Sequence, residues 1–239
     1  ATKRSVIFGF QNNELGGEGN LILGSQNSGS SSDNTLIGGV GNQSTNEVSS
    51  LIYGQLNNST ASTNSLVIGK SHKLNTNSEL GVFGELHDIS GTSIRSLING
   101  YNVHANNIQN TVVSGRDHKI FGSDSVASFG RDHIVNTTKN TLISGIQNDV
   151  ENTEHSAVLG GYNDVSGNTL YSIVGGRSNK EFNGEQNIIV GKFHNVKDTF
   201  SSAVFGLQNT ETTGNNNLIS GKENINISSE NAFIAGYSI

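Results

Sequence analysis

Five histidines share one repeated address in this sequence. His72, His87, His118, His133 and His194 each stand three residues after a glycine of a short motif, and in eight other periods that position holds Asn. Imidazole nitrogens bind metals and titrate near neutrality, so copies of such a column converging on an axis would suit an anion or a metal. Asn is a poor metal ligand, yet it holds most of these positions. His is therefore read as replacing Asn as a hydrogen-bonding turn residue, and no metal or cofactor is expected. The tetrapeptide "GRDH" occurs at 115–118 and again at 130–133. Stacked coils would set Arg116 over Arg131 and Asp117 over Asp132, a solvated charge ladder of little energetic weight. Ser, His and Asp are plentiful, but they lie in regular columns. Catalysis needs convergent groups in one pocket, so no enzyme is expected.

The columns exist because the chain repeats. Glycines fall at Gly9, Gly24, Gly39, Gly54, Gly69, Gly84, Gly100, Gly115, Gly130, Gly145, Gly160, Gly175, Gly191, Gly206, Gly221 and Gly236. The interval is fifteen residues, with two of sixteen, from 84 to 100 and from 175 to 191. A period this strict describes one unit stacked about sixteen times. Each period holds one brief Ile- and Val-rich run followed by polar, turn-forming residues. Such a run suits a short strand and is too sparse for an amphipathic helix. The fold expected is an all-β parallel solenoid in a single domain, 1–239. The glycine supplies positive φ or lets neighbouring coils approach closely. Asn three residues later tolerates left-handed geometry and stacks its amide from coil to coil.

Two residues before each glycine stands Ile or Val, from Ile7 to Ile234, with Ser128 the exception. That column is read as the interior, counting Ile173 in the coil of Gly175. Strand side chains alternate between faces, so the preceding column points outward, and it too is aliphatic. Leu21, Leu36, Leu51, Leu66, Leu97, Val112, Leu142, Ile188 and Leu218 belong to it, with Ser172 in the coil of Gly175. At about 4.8 Å per strand the stripe runs roughly 75 Å, too long to stay wet. A parallel homotrimer that buries it is expected.

Composition excludes several partners. Only 32% of residues are hydrophobic, Gly numbers 30, Pro and Cys are absent, and the net charge is −6. Without Cys there are no disulfides or thiolate metal sites. The acidic balance argues against nucleic acid, heparin and anionic lipid. No apolar run approaches the length of a membrane helix.

"SVIFG" (5–9), "SLVIG" (65–69), "SAVLG" (156–160) and "SAVFG" (202–206) resemble the serine–aliphatic–aliphatic–x–glycine repeats of YadA-like head domains of trimeric autotransporter adhesins. The resemblance covers all sixteen coils. It implies a left-handed parallel β-roll, a trimeric head on the outer membrane of a Gram-negative bacterium, and binding to a host surface glycoprotein (the CEACAM type among them) or a matrix protein. The alternative is a non-binding spacer of a surface or phage fibre. The family's neck, stalk and membrane-anchored barrel are absent from this stretch, which fits a passenger fragment beginning at Ala1. This chain is richer in Asn and His than the family's usual repeat.

Recognition is expected on the turns away from the strand stripe, through aromatic and Arg anchors. Phe121, Phe182 and Phe200 stand there. Phe182 lies in "GGRSNKEFNGEQN" (175–187), where the extra residue of a sixteen-residue period should bulge the turn. Phe182 and Phe200 would form one patch, flanked by Arg177 and Lys180.

Overall fold

The computed structural model describes residues 4–238, and among them there is no helix. The chain is a parallel β-solenoid of about fifteen turns, most of which give one strand to each of two sheets. It divides into two compact units, Ala1–Phe121 and Gly122–Ile239. In the first unit, one sheet runs from Val6–Phe10 through Leu66–Lys70 to Val112–Arg116, and the other from Asn13–Glu18 to Lys119–Phe121. In the second unit, the corresponding sheets run from Ala127–Arg131 to Phe233–Tyr237 and from Ile134–Asn136 to Ile225–Ile227. All pairings are parallel and in register, so Ile22 faces Ile37 and Gly24 faces Gly39.

The turns explain the polar composition. Each coil bends at residues with left-handed backbone: Leu56, Ala61 and Asn64 have φ of 57°, 54° and 52° in one coil, and Gln208, Thr213 and Asn216 have 56°, 51° and 54° in another. Asn, Ser, Asp and Gly fill most such corners because they tolerate that conformation best. The repeat glycine has a different reason. Gly54 adopts φ 126°, and a Cβ there would overlap the carbonyl of Gly69 in the next coil, with its carbon at 2.9 Å. Both the backbone angle and the coil spacing exclude a side chain.

Between the terminal coils the interior Ile and Val column lies as expected, whereas Ile7 in the first coil is 47% exposed because no coil covers it on one side. Ile22, Ile37, Ile98, Val158 and Ile219 are wholly buried, and Ser128 sits in the same column, equally buried. One coil requires a correction. Gly160 pairs with Gly176, not Gly175, and Gly176 pairs with Gly191. Val174 is therefore the interior residue and Ile173 the outward one, 45% exposed, while Ser172 is fully buried. The sixteen-residue interval moves with it, to 160–176. The extra residue is accommodated between Val165, which pairs with Val150, and Thr169, which pairs with Thr153. It bulges the turn at Gly167 (φ 80°), and the segment 175–187 contains no extra residue. The other long coil behaves alike: the bulge lies at Gly91 (φ 73°), between Ile89 and Ser93. Both bulges follow the pattern Asp–aliphatic–Ser–Gly, at 88–91 and 164–167.

The second sheet adds an inward column that the sequence reading missed. In the first unit it includes Ser44, Ser59, Leu74, Ile89, Ala105 and Ile120, and in the second Val135, Val150, Val165, Glu181, Val196 and Glu211, all buried. Three carboxylates in this column repeat one arrangement. Glu14, Glu181 and Glu211 each accept on Oε1 from a Ser nine residues earlier and an Asn six residues later. For Glu181 the donors are Ser172 Oγ and Asn187 Nδ2, both at 2.9 Å. A glycine three residues after the glutamate completes the set. At Gly184 a Cβ would collide with the Glu181 carboxyl, whose carbon lies 2.8 Å away, and with Asn187 Nδ2 at 2.5 Å.

Candidate functional site

The Asn/His column is a structural ladder. Asn27 donates its Nδ2 at 2.8 Å to the Leu23 carbonyl and at 2.8 Å to that of Gly39, and its Oδ1 accepts the Asn42 N–H at 3.0 Å. His fills this role with one nitrogen for each polar atom. His87 Nδ1 accepts the Val103 N–H at 3.1 Å, and its Nε2 faces the Phe83 carbonyl at 3.0 Å. His194 uses Nδ1 for Asn209 N–H and Nε2 for the Val190 carbonyl. Since Nδ1 accepts, Nε2 carries the proton and donates. The left-handed corner itself falls on the residue before this column, so Asn is here for its amide, not for its tolerance of positive φ.

These rings resist protonation. Burial pushes the His72 imidazole down to about 4, with a further push from His87, whose ring stacks on it at 4.8 Å. Burial also lowers His87, His133 and His194. Burial acts oppositely on carboxyls. It pushes Glu181 up to about 7, against the lowering effect of its Asn187 and Ser172 hydrogen bonds, and raises Glu47 and Glu211. In each of these glutamates Oε2 has no partner in the protein, the state a neutral carboxyl tolerates best.

The outward face of the first sheet is apolar. Leu21, Leu36, Leu51 and Leu66 are half-buried in the first unit, where Leu97 and Val112 are exposed; in the second unit Leu142, Ile188 and Leu218 are exposed. A second outward column, two residues on, went unnoticed in the sequence because its entries vary. Tyr53 and Ile68 belong to it in the first unit, and Phe129, Leu159 and Val190 in the second, all exposed. Each unit thus presents an aliphatic column with a second, partly apolar column beside it on one sheet face, the second interrupted by Asn99 and Ser114 in the first unit and Ser144 and Ser220 in the second.

The expected recognition residues are distributed over several surfaces. Phe182 is exposed on the second sheet beside Ser166, at the edge of the bulged coil, with Lys197 Nζ 5.7 Å from its ring centre. Phe200 is exposed too, but it lies beyond the left-handed corner at Asp198. A corner therefore stands between two residues read as one patch. Lys180 is exposed at the start of the strand holding Phe182. Arg177 ends a first-sheet strand, and its guanidinium lies 5.4 Å over the Tyr162 ring, so its aromatic neighbour is Tyr162. Phe121 belongs to the first unit and lines a groove there. In the "GRDH" repeats each Arg pairs with the adjoining Asp of its own coil, Arg116 with Asp117 at 3.2 Å and Arg131 with Asp132 at 3.1 Å.

Tyr162 and Phe193 escaped the sequence reading. They occupy the left-handed corner after the repeat glycine, with φ of 60° and 58°, and are 49% and 53% exposed. Bulky residues are uncommon in that conformation, and most other coils place Gln, Asn, Asp, Ser or Gly there. Their position two residues after Gly160 and Gly191 was the available signal. Register puts them two coils apart with Ser178 between, so their Cα atoms stand roughly 10 Å apart across a small residue. Tyr162, Arg177 and Phe193 thus bring together two exposed aromatics and a guanidinium, residue types that anchor interfaces.

No known family model matches the chain, and no curated protein matches it. Among solved structures, that of the polySia-specific acetyltransferase NeuO is similar at 10% sequence identity, covering 85% of this chain and 78% of that one, with a TM-score of 0.13. A score that low carries no argument about fold, ligand or activity.

Proposed function

We propose that this chain is the receptor-binding head of a homotrimeric bacterial surface adhesin, wound as a left-handed roll and displayed from the outer membrane. The observation that carries the reading is the apolar outer face of the first sheet. A lone solenoid would leave Leu97, Val112, Leu142, Ile188 and Leu218 in water, and three copies meeting along that face would cover them. The repeat motifs support the same reading, because they resemble those of YadA-like heads. Two partners follow: two further copies of this chain, and a host surface glycoprotein or matrix protein. Binding would use aromatic and cationic residues of the second unit at and beyond the ends of the first-sheet strands, Tyr162, Arg177 and Phe193, with Phe182, Lys180 and Phe200 nearby in sequence.

The test has two arms on the soluble chain. Light scattering at micromolar concentration should give a trimer, and Leu51→Asp with Leu66→Asp should leave monomers, because like charges would meet in a dry interface. A panel of host glycoproteins and matrix proteins should then yield a ligand. Tyr162→Ser with Phe193→Ser should abolish that binding without changing assembly. A stable monomer would refute the trimer, and a trimer that binds nothing in the panel would make the chain a spacer.

A further inference from the structure

The first unit carries a groove of about 630 Å³ on the outward face of its second sheet. Three successive coils build it. Asp88 and Ser90 come from the first, His104 and Asn106 from the second, Lys119 and Phe121 from the third. Strand alternation puts these residues outward and their middle neighbours, Ile89, Ala105 and Ile120, into the core. The groove adjoins one of the two bulged coils. Directly after Ser90 the chain turns out through Gly91, and Thr92 donates its N–H to Asn107 Oδ1 at 3.0 Å. Its polar lining is partly fixed: Asn106 Nδ2 donates to Ser90 Oγ at 3.1 Å, and Asp88 is held by Lys73 at 3.7 Å.

We propose that this groove binds a carboxylated sugar ring. The groove is open, so a ring would lie along it with one face toward solvent. Phe121, 41% exposed, offers a ring face for the C–H face of a pyranose. Asn106, Ser90 and Asp88 offer donors and acceptors matched to hydroxyls. Lys119 and His104 supply the groups for a carboxylate. Charge supports an acidic ligand: although the chain carries −6 overall, Asp88 in the groove is already paired with Lys73 at its rim, which leaves the Lys119 ammonium to face an incoming carboxylate. Sialic and uronic acids share this chemistry and differ in source, terminal glycans of glycoproteins in the first case and glycosaminoglycans in the second.

The cellular role of such a site rests on the adhesin reading, whereas the binding itself does not. Saturation-transfer NMR and calorimetry on the full chain would use N-acetylneuraminic acid and glucuronic acid as probes, with galactose and N-acetylglucosamine as neutral controls. At least one acid should bind, the neutral sugars should not, and Lys119→Gln or Phe121→Ser should each weaken binding by about tenfold or more at unchanged thermal stability. Binding of neither acid, equal binding of the neutral sugars, or undiminished binding by both variants would overturn the proposal. A parallel assay measures attachment to host cells before and after enzymatic removal of sialic acid or glycosaminoglycan. Attachment indifferent to these treatments and to Phe121→Ser would remove the groove from adhesion and leave the adhesin reading standing. Acid binding without any attachment to cells would do the reverse.

Discussion

Replacing Glu181 by Gln should stabilise the protein at alkaline pH and leave it nearly unchanged at acid pH. Glu181 is 1% exposed, its Oε1 holds the Ser172 and Asn187 hydrogen bonds, and its Oε2 has no protein partner. Its pKa rises from 4.5 to about 7 on folding, chiefly through burial. The folded state then keeps the proton where the unfolded state has lost it. Stability is full below pH 4.5, falls as pH rises toward 7, and levels off above. The loss at pH 8 is on the order of 3 kcal/mol, taking ~1.4 kcal/mol per unit of the difference. Gln keeps the Oε1 acceptor and cannot ionise, so Glu181→Gln should recover most of that amount at pH 8 and change stability by less than about 1 kcal/mol at pH 4. In a chain of this size the gain corresponds to a rise in melting temperature of roughly 6–12 °C. Guanidinium unfolding of wild type and variant from pH 4 to pH 8 measures it. A difference that stays constant across the range, or a variant less stable at pH 8, would refute a neutral buried carboxyl at this position.

Other outcomes follow from the same contacts. His72 has its pKa lowered from 6.5 to about 4, so its neutral ring is stable above pH 6.5 and loses on the order of 2 kcal/mol by pH 5. His72→Asn should match wild type at pH 7.5 and exceed it at pH 5 in the same unfolding assay; a variant equally acid-sensitive would sink the assignment. Gly184→Ala drives a Cβ into the Glu181 carboxyl and should cost about 1–3 kcal/mol. Gly184→Thr should cost at least as much alone, and combining it with Glu181→Val, which copies the neighbouring coil where Val196 and Thr199 hold those positions, should restore most of that loss when measured as a double-mutant cycle. Gly145→Ala meets the Gly160 backbone at a φ of 124° and should prevent native circular dichroism at 37 °C, whereas Gly161→Ala, whose Cβ has only the Ile146 carbonyl oxygen at 3.3 Å within reach, should fold.

Much of the architecture follows from the period alone. Sixteen glycine motifs, most of them with an aliphatic pair before the glycine, specify a strand, a close coil-to-coil approach and one buried column, because the same hydrogen bonds repeat every fifteen residues. The outward aliphatic face and the equivalence of Asn and His are equally local. What composition and spacing left open is register. In "SIVGGR" (172–177) either glycine continues the pattern, and coil-to-coil pairing selects Gly176. A slip of one residue exchanges the faces of every side chain on that strand, so Ser172, Ile173 and Val174 all change sides. The glutamate residue type gave no sign of burial, although three of these glutamates share a spacing of Ser nine before, Gly three after and Asn six after. A Glu among polar turn residues reads as solvated, and it becomes interior only because Ser172, Asn187 and the space over Gly184, drawn from parts of the chain separated by corners, are brought to one point. Tyr162 with Phe193, and the lining of the groove beside Phe121, arise the same way. Side chains fifteen or sixteen residues apart become neighbours across one strand spacing, and which of them share a surface depends on where each corner falls.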